Sequence, residues 1–230
     1  MAILAGVSEV SVRAVTGGEV AARLEAISTL YQQTFAVPPN VAESPAEHRA
    51  TMLSLLANPT FGCALAADSN GELIGFAYGR TLTSDRWWEG LRTPVPEGFT
   101  TEWDGRTFAV IDIGISPRWR RHHIGTRLMD TLLAARPEQR ASLGMIPALE
   151  DTAAFYAATG WELVGRQDSP RMLAGPHRYS MSTCETWELP EAGKRLGDKY
   201  IRCRPRARGS TPGPVRCAPR RSTRTRRGRG

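Results

Sequence analysis

Alternating and helical hydrophobic periods take turns along this chain. Val10 to Val15 alternates as a strand does, and Val20, Leu24, Ile27, Tyr31 and Phe35 then recur at spacings of three and four, as on one face of a helix. That helix must end by Val37, because Pro38-Pro39 cannot continue it. Ser44-Pro45-Ala46-Glu47 has the form of a capping box with proline at the first helical position. Met52, Leu55 and Leu56 supply the apolar face of the helix it starts, and Asn58-Pro59 closes it. Phe61 to Ala67 and Glu72 to Leu82 read as strands joined by the turn Asp68-Ser69-Asn70-Gly71. Ser84 to Gly105 has no period and contains Pro94, Pro96, Trp87, Trp88 and Trp103, so a long loop is expected there.

Phe108 to Ile115 is a further apolar strand, stopped by Pro117. A basic turn leads to a helix whose Ile124, Leu128, Met129, Leu132 and Leu133 fall on one face. Ala141 to Ile146 reads as a strand, and Asp151 as the cap of a short helix, Thr152 to Thr159, that ends at Gly160. Trp161 to Gly165 and Arg178 to Cys184 are expected to be a last pair of strands. The order β-α-α-β-β-β-α-β-α-β-β predicts an α/β fold, a mixed central sheet with helices on both faces.

Charge changes where this domain is expected to end. The 230 residues carry a formal net charge of +7, yet residues 201–230 hold eleven Arg and no acid, which leaves residues 1–200 at −4. The basicity belongs to a tail and not to a face of the folded body. Residues 1–190 are read as one domain and residues 191–230 as a disordered, Arg-rich tail, because residues 201–230 contain no Leu, Phe, Trp or Tyr to bury. Such a tail can touch nucleic acid through phosphates. The chain uses 28 Arg and only two Lys throughout, however, so a merely solubilising extension is favoured. Four cysteines without metal-like spacing predict no metal site, and no signal peptide or membrane-spanning run is seen, which places the expectation in the cytoplasm.

Strand, basic turn and helix N-terminus together suit an anion: first-turn N–H groups lack internal partners, and the helix dipole adds positive charge there. Arg120-Arg121-His122-His123-Ile124-Gly125-Thr126 resembles the pyrophosphate-binding motif of the GNAT N-acetyltransferase superfamily, Arg/Gln-x-x-Gly-x-Gly/Ala. His123 stands where the family usually has its first glycine, an exchange that matters if the residue needs positive φ. Phe155-Tyr156-Ala157-Ala158-Thr159-Gly160-Trp161 resembles the family's Leu/Phe-Tyr-x-x-x-Gly-Phe/Trp stretch, and Leu149 replaces an Asn that many members carry seven residues before that Tyr. The topology expected from about residue 10 to residue 189 is similar to the family's as well.

The resemblance implies an N-acetyltransferase that moves an acetyl group from acetyl-CoA to a primary amine. It implies that Arg120, Arg121, His122, His123, Ile124, Gly125 and Thr126 hold the pyrophosphate, and that the backbone of Ile113, Gly114 and Ile115 pairs with the pantetheine arm. Asp112, a carboxylate within an apolar strand, is either the base for the amine or a structural ion-pair partner. Tyr156 is either the acid for the departing thiolate or a core residue. Loop 84–105 carries five acids against two Arg, with three Trp. Trp87, Trp88 and Glu89 are therefore expected to meet a cationic acceptor, and the resemblance implies that Tyr31 and Phe35 complete the wall. The bland alternative is a solvated loop whose Trp side chains pack on the sheet edge. Expected partners are acetyl-CoA and the amine, with a homodimer left open. A nucleic-acid-associated protein working through its tail, with a body that only binds an acyl-CoA, is the alternative of a different class.

Overall fold

A computed structural model describes residues 10–168, apart from residues 39, 41, 147 and 148, together with residues 196–203. Strands β1 (Ser11–Val15), β2 (Gly62–Ala67), β3 (Leu73–Thr81), β4 (Thr107–Ile115), β5 (Arg140–Met145), β6 (Glu162–Asp168) and β7 (Leu196–Cys203) form one sheet in the order β1-β2-β3-β4-β5-β7-β6. Only β4 and β5 run parallel; every other neighbouring pair is antiparallel. Helices α1 (Gly17–Ala22), α2 (Leu24–Phe35) and α3 (Pro45–Leu56) share a core with one face of the sheet, where Ile27, Met52 and Leu55 meet Phe76 and Tyr78. Helices α4 (Ile124–Ala134) and α5 (Glu150–Ala158) serve the other face, with Ile124, Leu128, Met129, Leu132 and Tyr156 packed on Ile74, Phe108, Val110 and Leu143. Burying each of the large α4 side chains contributes roughly 1.5–3 kcal/mol, more than the intrinsic propensity of so short a helix.

The helix expected from Val20 to Phe35 is two. Arg23 leaves helical geometry (φ −113°, ψ 12°), and the break lets Val20 and Ile27, both fully buried, enter one core from two axes. The capping box at Ser44 forms as expected: Ser44 Oγ accepts from Glu47 N–H at 3.3 Å, and the Glu47 carboxylate accepts from Ser44 N–H at 2.9 Å. α5 starts earlier than expected, at Glu150, with Leu149 as its cap residue and no side-chain cap bond. Asp151 thus lies in the first turn with Glu150, where the helix dipole favours acids.

The end of the domain needs correction. The strand expected at Arg178 to Cys184 lies outside the described residues. The strand that completes the sheet is Leu196–Cys203, inside the segment read as tail, and it sits between β5 and β6 as the antiparallel partner of both. Ile201 is 2% exposed and packs with Trp88 and Phe99. A boundary at residue 190 therefore cuts the sheet. The misleading signal was charge: Lys199 lays its ammonium 3.5 Å from the centroid of the Trp87 ring, and Arg202 reaches Asp130 at 3.0 Å. Long cationic side chains have apolar stems that pack well.

One irregularity in the centre of the sheet positions the site. Tyr78 pairs with Asp112 and Gly79 with Val110, so Ile111 is an extra residue in β4, a β-bulge. It shifts the alternation of β4 by one. Val110 faces the α4 core, Ile111 the α2–α3 core, and then Ile113 and Ile115 return to the α4 core. Asp112, opposite Tyr78, is turned toward α2 and α3 rather than into the apolar α4 side. The bulge requires glycine across from it: a Cβ on Gly79 would stand 2.0 Å from the Ala109 carbonyl oxygen.

Candidate active site

Asp112 is half-buried, and its Oδ2 accepts a hydrogen bond from the Tyr78 hydroxyl at 2.6 Å. The Tyr78 oxygen lies 3.0 Å from His48 Nε2, and His48 Nδ1 lies 2.9 Å from Ser28 Oγ. Four side chains from β4, β3, α3 and α2 thus form one chain of hydrogen bonds. Its inner members are deep, with Ser28 and Tyr78 at 0% exposure and His48 at 1%. Burial pushes the His48 imidazole down to about 4, so it is neutral near pH 7. Tyr31 stacks on that imidazole with ring centroids 3.9 Å apart, and Phe35 lies beside Tyr31 at 4.9 Å. None of Ser28, His48 or Tyr78 stands out in the sequence as site material. The only trace is a set of polar residues at apolar positions of α2, α3 and β3.

Beside Asp112 the sheet loosens. β4 and β5 pair over Thr107 to Val110 against Arg140 to Leu143; there the ladder stops, although both strands run on, β4 as far as Ile115. Ile113, Gly114 and Ile115 lie in this last stretch, paired on one side with β3. A 3-10 turn, Pro117–Trp119, then leads into the basic turn. Arg121 (φ 66°) and His123 (φ 57°) are both left-handed, and His123 is the cap residue of α4 with no side-chain cap bond. Among the described residues the first backbone bond back into this turn is Arg127 N–H to His123 O, so the N–H groups of Ile124, Gly125 and Thr126 precede the helical ladder. Arg120, Arg121, His122 and His123 are exposed around them. Left-handed residues leading into a helix N-terminus make a concave array of N–H groups, which suits a phosphate.

The profile of the Acetyltransferase (GNAT) family matches residues 24–161, well over half of the chain. The chain belongs to the GNAT acetyltransferase family. Its fold is similar to that of the ribosomal-protein-S18-alanine N-acetyltransferase of Escherichia coli, at a TM-score of 0.55 and 12% identity over 89% of this chain and 100% of that one. It is similar, too, to an acetyltransferase of Thermus thermophilus, with a TM-score of 0.53 and 12% identity over 84% of this chain and 96% of the other. A third similar structure is a spermidine N-acetyltransferase SpeG chimera from Vibrio cholerae and hSSAT, with a TM-score of 0.52 and 13% identity over 85% and 96% of the two chains. No curated protein matches the chain.

In this GNAT chain the motif's glycine is required by packing. Gly125 is buried, and a Cβ there would meet Ile115 Cδ1 at 3.1 Å and the Phe155 ring at 3.3 Å. Its missing side chain lets α4 close on β4 and α5, away from the exposed turn. Tyr156, 5% exposed, packs edge-on against Trp161 with centroids 5.9 Å apart, in the core on the α4 face. Asp112 and Tyr156 therefore lie on opposite faces of the sheet.

Loop 84–105 follows the bland alternative. Trp88 is 3% exposed, donates from Nε1 to Glu102 Oε1 at 2.7 Å and packs on Phe99, so it is the loop's own core and not an acceptor wall. Glu102 is bound by Arg140 at 2.9 Å, and its second oxygen, Oε2, is buried with no hydrogen bond among the described residues. Trp87 donates to Ser142 Oγ at 2.8 Å, with Lys199 on its ring. Glu89 engages by its backbone, whose carbonyl accepts from Gln167 Nε2 at 2.6 Å, while its side chain is exposed. Tyr31, 8% exposed, supports His48 rather than forming an open wall. The acids and rings that suggested a cationic acceptor largely hold the loop onto the sheet.

Among the described residues no group of His, Cys, Asp and Glu is arranged to hold a metal, and no helix is long and apolar enough to cross a membrane.

Proposed function

We propose that the chain is an acetyl-CoA-dependent N-acetyltransferase acting on the primary amine of a small cationic molecule. The observation that carries this reading is the left-handed turn at Arg121 and His123, opening onto the α4 N-terminus beside the stretch of β4 that β5 leaves. In this reading the N–H groups from Arg121 to Thr126 hold the pyrophosphate, Arg120 and Arg121 add charge, and His122 and His123 flank it. The backbone of Ile113 to Ile115 receives the pantetheine arm along β4. Bound acetyl-CoA supplies the acetyl thioester.

The chain's own groups then meet two proton demands. Asp112 takes the proton that the amine must lose, directly or through water, with its Oδ2 fixed by Tyr78. Tyr156 gives a proton to the departing sulfur through its phenol. Holding the reactants together supplies much of the rate gain. Asp112 also attracts an ammonium group, and Glu89, Glu97 and Asp104 remain exposed on the loop, which supports a cationic acceptor.

The test is CoA release, followed with a thiol reagent, on polyamines, aminoglycoside-like amines and cationic peptide N-termini beside neutral amines. Release that depends on the cationic amines is the expected result. No release above that from acetyl-CoA alone with any amine would overturn the reading.

A further inference from the structure

The buried chain of hydrogen bonds behind Asp112 is more than packing. We propose that Tyr78 and His48 are positioning residues that hold the Asp112 carboxylate ready to accept a proton, with Ser28 fixing the imidazole behind them; this rests on the acetyltransferase reading above. With Asp112 ionised, the geometry allows one consistent set of donors. Ser28 O–H donates to His48 Nδ1, His48 Nε2–H donates to the Tyr78 oxygen, and Tyr78 O–H donates to Asp112 Oδ2, at 2.9, 3.0 and 2.6 Å. Every donor points toward the carboxylate, and such chains polarise one another in a buried setting. The short last bond has the length of a charge-assisted one.

The same geometry decides between orienting a carboxylate and draining it of protons. A proton conduit needs an outlet, and this chain ends at Ser28, which is 0% exposed. The relay therefore orients Asp112 and stabilises its ionised form. A neutral imidazole is what this donor pattern needs, and the burial that lowers its proton affinity provides it. The groups facing His48 are Ser28 and Tyr31 from α2 and Tyr78 from β3. The nearby ion pair between Arg49 and Glu25 on the same two helices is exposed to solvent. The bulge at Ile111 is what brings Asp112 to this face, so the strand irregularity and the relay work as one device.

The experiment uses the full chain carrying Tyr78→Phe, His48→Gln, Ser28→Ala or Asp112→Asn. Folding is checked by thermal unfolding, and the Asp112 carboxyl is titrated by carbon-13 NMR. Tyr78→Phe keeps the ring in its packed site and removes only the hydroxyl. It is expected to raise the Asp112 midpoint by about one pH unit, a tenfold gain in proton affinity. It should also lower kcat about tenfold with KM for acetyl-CoA unchanged, while Ser28→Ala shifts both in the same direction by a few-fold. An unmoved midpoint in folded Tyr78→Phe and Ser28→Ala overturns the proposal, even where Asp112→Asn abolishes acetylation and the acetyltransferase reading stands. A shifted midpoint in a protein that acetylates no amine would keep the positioning and remove the acetyltransferase reading. Should Tyr78→Phe fail to fold, the Asp112 midpoint in Ser28→Ala and His48→Gln decides alone.

Discussion

Replacing His123 by glycine should stabilise this protein. His123 is held at φ 57° as the cap of α4, in the left-handed region where a Cβ crowds the following carbonyl oxygen at a cost of roughly 1–2 kcal/mol. Histidine tolerates that region better than most residues, so the lower end applies. Glycine removes the crowding but adds freedom to the unfolded chain, which takes back about 0.4–1 kcal/mol. The side chain is exposed and caps nothing, so no contact is lost to set against the gain. The net is about 0–0.6 kcal/mol in favour of the folded state, a rise in Tm of up to roughly 2 °C for a domain of this size. Thermal unfolding followed by circular dichroism measures it, with His123→Ala as the control. Alanine keeps the Cβ and the crowding, so it should melt no higher than the parent. The affinity for acetyl-CoA should hold or improve, since the N–H of residue 123 stays in place. A His123→Gly protein that melts lower than the His123→Ala protein would refute the argument.

Three other outcomes are expected. A chain ending at Pro190 loses β7, and with ladder bonds at about 1 kcal/mol each and Ile201 at roughly 1.5–3, the loss rivals the whole stability of a domain; it should show no cooperative melt, whereas a chain ending after Cys203 should keep one. Gly79→Ala puts a Cβ against a backbone oxygen that cannot move aside, so it should cost about 3 kcal/mol or more and, in whatever fraction folds, lower acetylation by disturbing the bulge under Asp112, read by denaturant unfolding and by the thiol assay. Because the His48 imidazole falls from 6.5 to about 4 on folding, its stabilising contribution is whole above pH 6.5 and is lost as pH drops toward 4, by about 3 kcal/mol in all; denaturant midpoints across that range should fall, and His48→Gln should flatten the part of the slope that histidine causes.

The elements with strong periodicity were legible in the sequence because one face of each is buried: the α4 stripe, the Ser44 capping box and the paired strands β2 and β3 all lie where the pattern puts them. β7 was not, since its cationic residues pack through their stems while their charges resemble those of a tail. The GNAT relationship was legible from two short motifs and the order of elements. The meaning of single motif residues was less so. Gly125 is required by the approach of α4 to Ile115 and Phe155, which spacing alone cannot distinguish from the approach of a phosphate. Trp88 and Glu102 looked like a surface for cations until Arg140 was found to occupy it. The Ser28–His48–Tyr78 relay could not be read at all, because its members lie 20 and 30 residues apart and meet only across three elements.

The placement of β7 between β5 and β6 also bears on how the chain is made. Among the described residues β6 is joined to the sheet only through β7, and Arg140 finds its β7 partner at Cys203. A ribosome that has released residue 168 has emitted both β5 and β6 with nothing to bridge them. Until residue 203 clears the exit tunnel, β5 presents a bare edge and Trp88 and Phe99 lack their contact with Ile201, an arrangement open to pairing with other nascent chains. Slow emergence of residues 169–203 from the tunnel would therefore lengthen the period in which this protein is most prone to aggregate.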